Sequence, residues 1–151
     1  METVAEKTSK HLKELIVINN DRYEGYKTAA GETKDVELKA LFQKYSEQSM
    51  RFAEELKEVM PDHEYAPAEG ETKNTGKAYR VFMDIKAAVK GHDRKGILAS
   101  CEFGEDEAKQ TYNEFLEDTG DIKDSVVAIV RKQQAELLKA HNKIKAMRDS
   151  A

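Results

Sequence analysis

Apolar residues in the first part of the chain recur at alternating intervals of four and three, which is the spacing of one face of an α-helix. A short turn at residues 31–34 separates two such stripes, so they predict an antiparallel helical hairpin over about residues 3–60. Thr3 and Asp35 stand where a side chain that caps a helix N-terminus is expected. The first stripe consists of Leu12, Ile16, Asn19, Tyr23, Tyr26 and Ala30, and the second of Leu38, Phe42, Tyr45, Ser49, Phe52, Leu56 and Val59.

The same periodicity returns in the last third of the chain and predicts a second hairpin over about residues 93–148, with Asp121 capping its second helix. Between the hairpins, residues 61–74 lack periodicity, and a shorter helix is predicted over residues 76–90. The chain is therefore predicted to be a single all-α domain, residues 1–151, folded as a four-helix bundle with a long crossover at residues 61–92. The stripes of the second hairpin are Leu98, Cys101, Glu105, Ala108, Tyr112, Phe115 and Val127, Val130, Gln134, Leu137, His141, Ile144.

The charge balance and the length of the apolar runs narrow the classes of partner. The 25 basic residues are interleaved with 29 acidic ones, giving a net charge of −4 and no concentrated basic face, so we expect no nucleic-acid partner. No apolar run approaches the ~20 residues of a membrane-spanning helix, and no targeting segment is visible. Cys101 is the single cysteine, which excludes an intrachain disulfide and suits a reducing compartment. We therefore expect a cytoplasmic protein without a membrane partner.

Five polar residues interrupt the apolar stripes and are the candidates for a functional site. A turn near residue 120 places Glu105 roughly level with residues 136–138, so Glu105 and His141 are predicted to face each other, with Glu102 on the adjacent turn. They could form half of a metal site for a single Fe, Mn or Zn ion, completed by Glu102 or by an asparagine, Asn19 or Asn20. The alternative, which the small number of ligands favours, is a buried pair that fixes the helix register. The interrupting residues are Asn19, Ser49, Glu105, Gln134 and His141.

Two groups of residues resemble known families. The segment from Leu41 to Leu56 is similar to the second bundle helix of rubrerythrin-type proteins. The run from Ile18 to Tyr26, together with Cys101-Glu102-Phe103-Gly104-Glu105-Asp106, resembles more closely an uncharacterised bacterial family of ferritin-like bundles that bear a domain of unknown function. The resemblance covers about residues 9–148. It implies a ferritin-like four-helix bundle and carries no established activity.

The sequence departs from the ferritin-like di-iron pattern, and these departures determine which function we expect. Such a site takes one Glu from each of two helices and a Glu-x-x-His motif from the other two. Only Glu105 and His141 match, and no other catalytic motif occurs, so we expect a non-catalytic bundle without ferroxidase activity. The alternative is a metal-binding or redox protein using Glu105, His141 and Glu102. The remaining ligand positions hold Ser49, Phe52, Leu138 and the group Ile16, Asn19 and Asn20.

The predicted helix over residues 76–90 carries an apolar face that has no obvious partner within either hairpin. We expect this face to be buried against a second copy of the chain, because apolar side chains that have no intramolecular partner commonly mark an interface. The sequence therefore predicts a homo-oligomer, with a dimer favoured. The residues concerned are Val81, Phe82, Ile85 and Val89.

Overall fold

The computed structural model describes residues 1–72 and 93–151, together with Asp84, Ala87, Lys90 and Gly91. This part of the chain is helical and contains no β-strand, which confirms the predicted all-α class. Asp84, Ala87 and Lys90 are helical and exposed, whereas the apolar residues of the predicted 76–90 helix lie outside the described residues. The elements are α1 (Val4–Glu32), α2 (Val36–Glu58), a 3-10 turn (His63–Tyr65), α3 (Arg94–Leu116) and α4 (Asp124–Asp149).

Three of the four helices begin at a capping side chain. Thr3 Oγ1 accepts the backbone N–H of Glu6 at the start of α1, and Asp35 Oδ1 accepts the N–H of Leu38 at the start of α2, so both predicted caps are confirmed. At the start of α3 the cap is Asp93. The prediction for Asp121 is wrong, because α4 begins after Lys123 and has no side-chain cap.

Ion pairs at the helix ends show how the two hairpins are joined. Arg94, in the first turn of α3, pairs with Asp35 and Glu37 at the start of α2, with 2.7 Å between its Nη2 and Glu37 Oε1. At the other end, Lys7 of α1 lies 3.2 Å from Asp118, just after α3. Consequently α2 and α3 run in the same direction, which requires the long crossover predicted between them. No helix in the described part of the chain is long and apolar enough to cross a membrane.

In the part of the chain that the structure describes, the core consists of two apolar clusters separated along the bundle by polar residues. On α1, Ile18 belongs to one cluster and Tyr26 to the other, with Asn19 and Arg22 buried between them. Ser49 on α2 and Glu105 on α3 are buried at the same level. We call Asn19, Arg22, Ser49 and Glu105 the polar layer. Its side chains must find their partners inside the protein, because water does not reach them.

Candidate functional site

Arg22 is the centre of the polar layer and binds residues of two other helices. Its Nε donates a hydrogen bond to Glu105 Oε1 at 2.7 Å, and its Nη1 donates to Ser49 Oγ at 2.9 Å. The side chains of Arg22 and Glu105 are only 4% and 1% exposed. The guanidinium also lies over two aromatic rings, 5.3 Å from the centroid of Tyr26 and 5.4 Å from that of Tyr45. A buried cation is thus held by an anion, a hydroxyl and two π faces.

Two hydroxyl groups add to this arrangement, although Arg22 Nη2 and Glu105 Oε2 are buried without a hydrogen-bond partner among the described residues. Tyr26 donates its hydroxyl to Glu105 Oε1 at 2.5 Å, and Ser49 donates to the backbone oxygen of Tyr45 at 2.7 Å. Burial opposes the charge of Arg22, but the neighbouring Glu105 carboxylate outweighs it, and the pKa of Arg22 lies above its ordinary value. Arg22 therefore keeps its positive charge within the core.

A second hydrogen-bond network adjoins the layer and connects all four helices. Asn19 Nδ2 donates to the Tyr112 hydroxyl and to the backbone oxygen of Leu15, both at 2.8 Å. The Tyr112 hydroxyl donates to Gln133 Oε1 at 2.7 Å, and Gln133 Nε2 donates to the backbone oxygen of Phe52 at 3.3 Å. Each of these hydrogen bonds forms only when its two residues lie at the same level along the bundle axis. The network therefore fixes the positions of the helices relative to one another along that axis.

The expected pairing of Glu105 with His141 does not occur. Glu105 faces α1, whereas His141 Nε2 lies 2.7 Å from Oδ1 of Asp106, the next residue along α3. Successive side chains of an α-helix point about 100° apart, so neighbouring residues reach different partner helices. The structure thus separates the two residues that matched the di-iron pattern.

His141 instead belongs to a group near the surface of the α3–α4 hairpin, which we call the carboxylate–histidine cluster: Glu102, Asp106 and His141. Each of them offers one ligand atom within 4.8 Å of the other two. Arg148 Nη1 donates a hydrogen bond to Glu102 Oε2. Of the asparagines considered as further ligands, Asn19 belongs to the Tyr112 network, and Asn20 Nδ2 donates to the backbone oxygen of Glu71 at 2.9 Å. Both side-chain amides therefore have hydrogen-bond partners outside the cluster.

Neither the predicted stripes nor the predicted site includes Arg22, Gln133, Asp106 or Arg148. The first predicted stripe contains Tyr23 and not Arg22, although Leu15, Asn19, Arg22 and Tyr26 form an equally regular stripe. On α4 the buried glutamine is Gln133, whereas Gln134 is only half-buried and donates to Asn113. For Arg22 and Gln133 the sequence contains a second, equally regular stripe that includes the buried residue, so spacing alone does not choose between neighbouring positions.

Cys101, which lies on the apolar stripe of α3, is a small core residue. Its side chain is buried, and burial together with the nearby Glu105 carboxylate raises the pKa of the Cys101 thiol. A thiol that does not ionise near neutral pH is a poor nucleophile and a poor metal ligand. Cys101 therefore adds no chemistry to the site.

The buried tyrosines should ionise late and limit the stability of the fold at alkaline pH. Burial, with the Glu105 carboxylate nearby, raises the pKa of Tyr26 and raises that of Tyr45 to about 12, and burial raises that of Tyr112. Since an unfolded tyrosine ionises near pH 10, the folded state holds these protons more tightly. Their contribution to stability is fully present below about pH 10 and is lost as the pH rises through the folded-state pKa values. We expect tyrosinate absorbance from these residues to appear only well above pH 10, together with loss of helical circular dichroism.

The same absorbance titration in concentrated denaturant is the control, because every tyrosine should then ionise near pH 10. Tyr45→Phe should remove one late-ionising group. If all six tyrosines ionised near pH 10 while the helices remained intact, the buried environment described for Tyr26, Tyr45 and Tyr112 would be incorrect.

Of the comparisons with known proteins, one gives a match, and it covers most of the chain. No curated protein and no solved structure matches the chain. A protein-family model, described as a domain of unknown function (DUF2383), matches residues 7–118. The matched range includes Arg22, Ser49 and Glu105, and it ends before α4, which carries Gln133 and His141. On this match, the chain belongs to the DUF2383 family.

Proposed function

We propose that this protein is a non-catalytic helical bundle of ferritin-like plan, in which the side chain of Arg22 fills the place that metal ions would occupy. The observation that carries the proposal is the contact of Arg22 with both Ser49 and Glu105. By the resemblance to ferritin-like proteins, these two positions belong to metal ligands on the second and third helices.

The chemistry around Arg22 does not fit a di-iron centre. Glu105 Oε1 already accepts hydrogen bonds from Arg22 and Tyr26, and a guanidinium at this distance would repel a metal ion that approached the carboxylate. At two further ligand positions, Phe52 is a buried apolar residue and Leu138 is 43% exposed. The protein therefore obtains from an internal arginine the positive charge that metal ions would supply to the core.

An iron-oxidation assay tests the proposal. Fe²⁺ added in air should oxidise at the same rate with the protein as in buffer alone, and Glu105→Gln should not change this rate. The oxidation rate is the diagnostic quantity, since surface carboxylates can retain iron without catalysing its oxidation. Oxidation accelerated by the unmodified protein and abolished by Glu105→Gln would overturn the proposal.

We also propose a cellular location and an oligomeric state, both supported by the sequence. The lone Cys101 and the interleaved charges support a cytoplasmic protein without a nucleic-acid partner. Self-association as a dimer is supported by the apolar positions of residues 76–90 in the sequence.

Metal binding is the second candidate function, and the carboxylate–histidine cluster favours it. Imidazole and carboxylate ligands suit a single Fe, Mn or Zn ion. Glu102 and His141, two of the three ligands expected from the sequence, belong to the cluster. We propose Asp106 as the third ligand in place of Glu105, because Glu105 is bound by Arg22.

A further inference from the structure

We propose that the carboxylate–histidine cluster is a site for one divalent transition-metal ion, and that Arg148 competes with the ion for Glu102. The inference rests on the metal-binding function proposed for the cluster, and it adds the group that controls occupancy of the site. A metal ion would bind more tightly when Arg148 leaves Glu102.

The arrangement of the ligands suits a small ion. Glu102 and Asp106 are four residues apart on α3, so their carboxylates are neighbours on one helix face, and His141 approaches from α4. The three ligand atoms lie within 4.8 Å of one another. Ligands about 2.1 Å from a tetrahedral ion are roughly 3.4 Å apart. Side-chain shifts of about 1 Å would reach this spacing, with His141 Nε2 and Asp106 Oδ1 moving apart from their present 2.7 Å.

Access and charge also suit a cation. The side chains of His141 and Glu102 are 11% and 12% exposed, whereas that of Asp106 is 56% exposed, so the cluster is closed towards the core and open on one side. The two carboxylates place negative charge in a partly buried position, which favours a bound cation. Arg148 now supplies that positive charge.

Arg148 can leave Glu102 with only a small loss of free energy. It lies in the last turn of α4, and its side chain is 30% exposed. Its Nε and Nη2 already donate to Asp149 Oδ1, at 3.2 and 2.9 Å, so the guanidinium keeps a carboxylate partner after leaving Glu102. A metal ion on the Glu102 carboxylate would lie beside the Arg148 guanidinium, and because both are positive they would repel each other and compete for this residue.

Calorimetric titration of the whole protein with Zn²⁺, and separately with Mn²⁺, tests the inference. Arg148→Gln should bind the ion about tenfold more tightly than the unmodified protein, a difference of about 1.4 kcal/mol. His141→Ala should weaken binding by at least about tenfold, because most metal sites need three or four protein ligands. Arg94→Gln is the matched control, since Arg94 also binds two carboxylates but lies at the start of α3, and it should leave the affinity unchanged.

The outcomes show whether the metal-binding function fails, or only the proposed role of Arg148. If none of the proteins binds either ion, the metal-binding function and the inference fall together. Binding that His141→Ala leaves intact would place the ion elsewhere and would also overturn both. Binding that His141→Ala abolishes but Arg148→Gln leaves unchanged would retain the metal site and overturn only the role of Arg148. An equal gain from Arg94→Gln would reveal a general effect of charge and would likewise overturn that role.

Discussion

Replacing Arg22 with methionine should lower the free energy of unfolding by about 3–5 kcal/mol, because the change leaves the Glu105 carboxylate buried without its cation. Glu105 would keep only the hydrogen bond from the Tyr26 hydroxyl. Methionine retains most of the length of the arginine side chain, so the loss measures the missing charge and hydrogen bonds more than a cavity. Urea denaturation followed by circular dichroism gives the value directly.

Two further variants separate this effect from a general sensitivity to losing an arginine. Arg94→Met removes an ion pair whose arginine side chain is 39% exposed, and it should cost less than about 1 kcal/mol. The double variant Arg22→Met/Glu105→Gln removes both buried charges and should recover much of the stability lost in the single variant. A cost for Arg22→Met no larger than that for Arg94→Met would contradict the structure of the polar layer.

Tyr112 should be the second most sensitive position, because it combines a large buried ring with a hydroxyl that joins α1 to α4. Its side chain is fully buried, and the hydroxyl accepts from Asn19 and donates to Gln133. Tyr112→Ala should lower the free energy of unfolding by about 3–5 kcal/mol through the cavity alone. Tyr112→Phe keeps the ring and should cost about 1–3 kcal/mol, because Gln133 Oε1 then loses its donor. Thermal and urea unfolding of the two variants measure the ring and the hydroxyl separately.

Tyr65→Phe provides the matched control. The Tyr65 hydroxyl donates to Glu6 at 3.1 Å in a half-buried place, where water can replace it. This change should therefore cost less than about 1 kcal/mol. Equal costs for the two phenylalanine substitutions would show that the hydroxyl of Tyr112 adds nothing to the connection between the helices.

The helices and the height of the polar layer could be predicted from the sequence, because both depend on periodicity along the chain. Asn19, Ser49 and Glu105 interrupt regular apolar stripes, and all three are buried at mid-bundle. Arg22 could not be identified as readily, since arginine is among the residues least often buried. Moreover, α1 packs against both α2 and α3 and so buries a wider face than the single seam of a two-helix hairpin.

The direction of each side chain around its helix was harder to predict than its height. Glu105 and Asp106 are neighbours in sequence, yet one binds α1 and the other contacts α4. On α4, Val126 and Val127 both begin plausible stripes, and choosing the second gave Gln134 where the core contains Gln133. Periodicity leaves an ambiguity of one residue, which only the packing of all four helices resolves.

The sealed position of the Arg22–Glu105 pair has a consequence for how the protein responds to its medium. Dissolved ions weaken attractions between charges that they can surround, as at the half-exposed pair of Lys10 and Glu2. Neither ions nor water can enter between Arg22 and Glu105, whose side chains are 4% and 1% exposed. In concentrated salt the attraction within the surface ion pairs should weaken, while that between Arg22 and Glu105 persists. The helices of the bundle should therefore keep one alignment across a wide range of ionic strength.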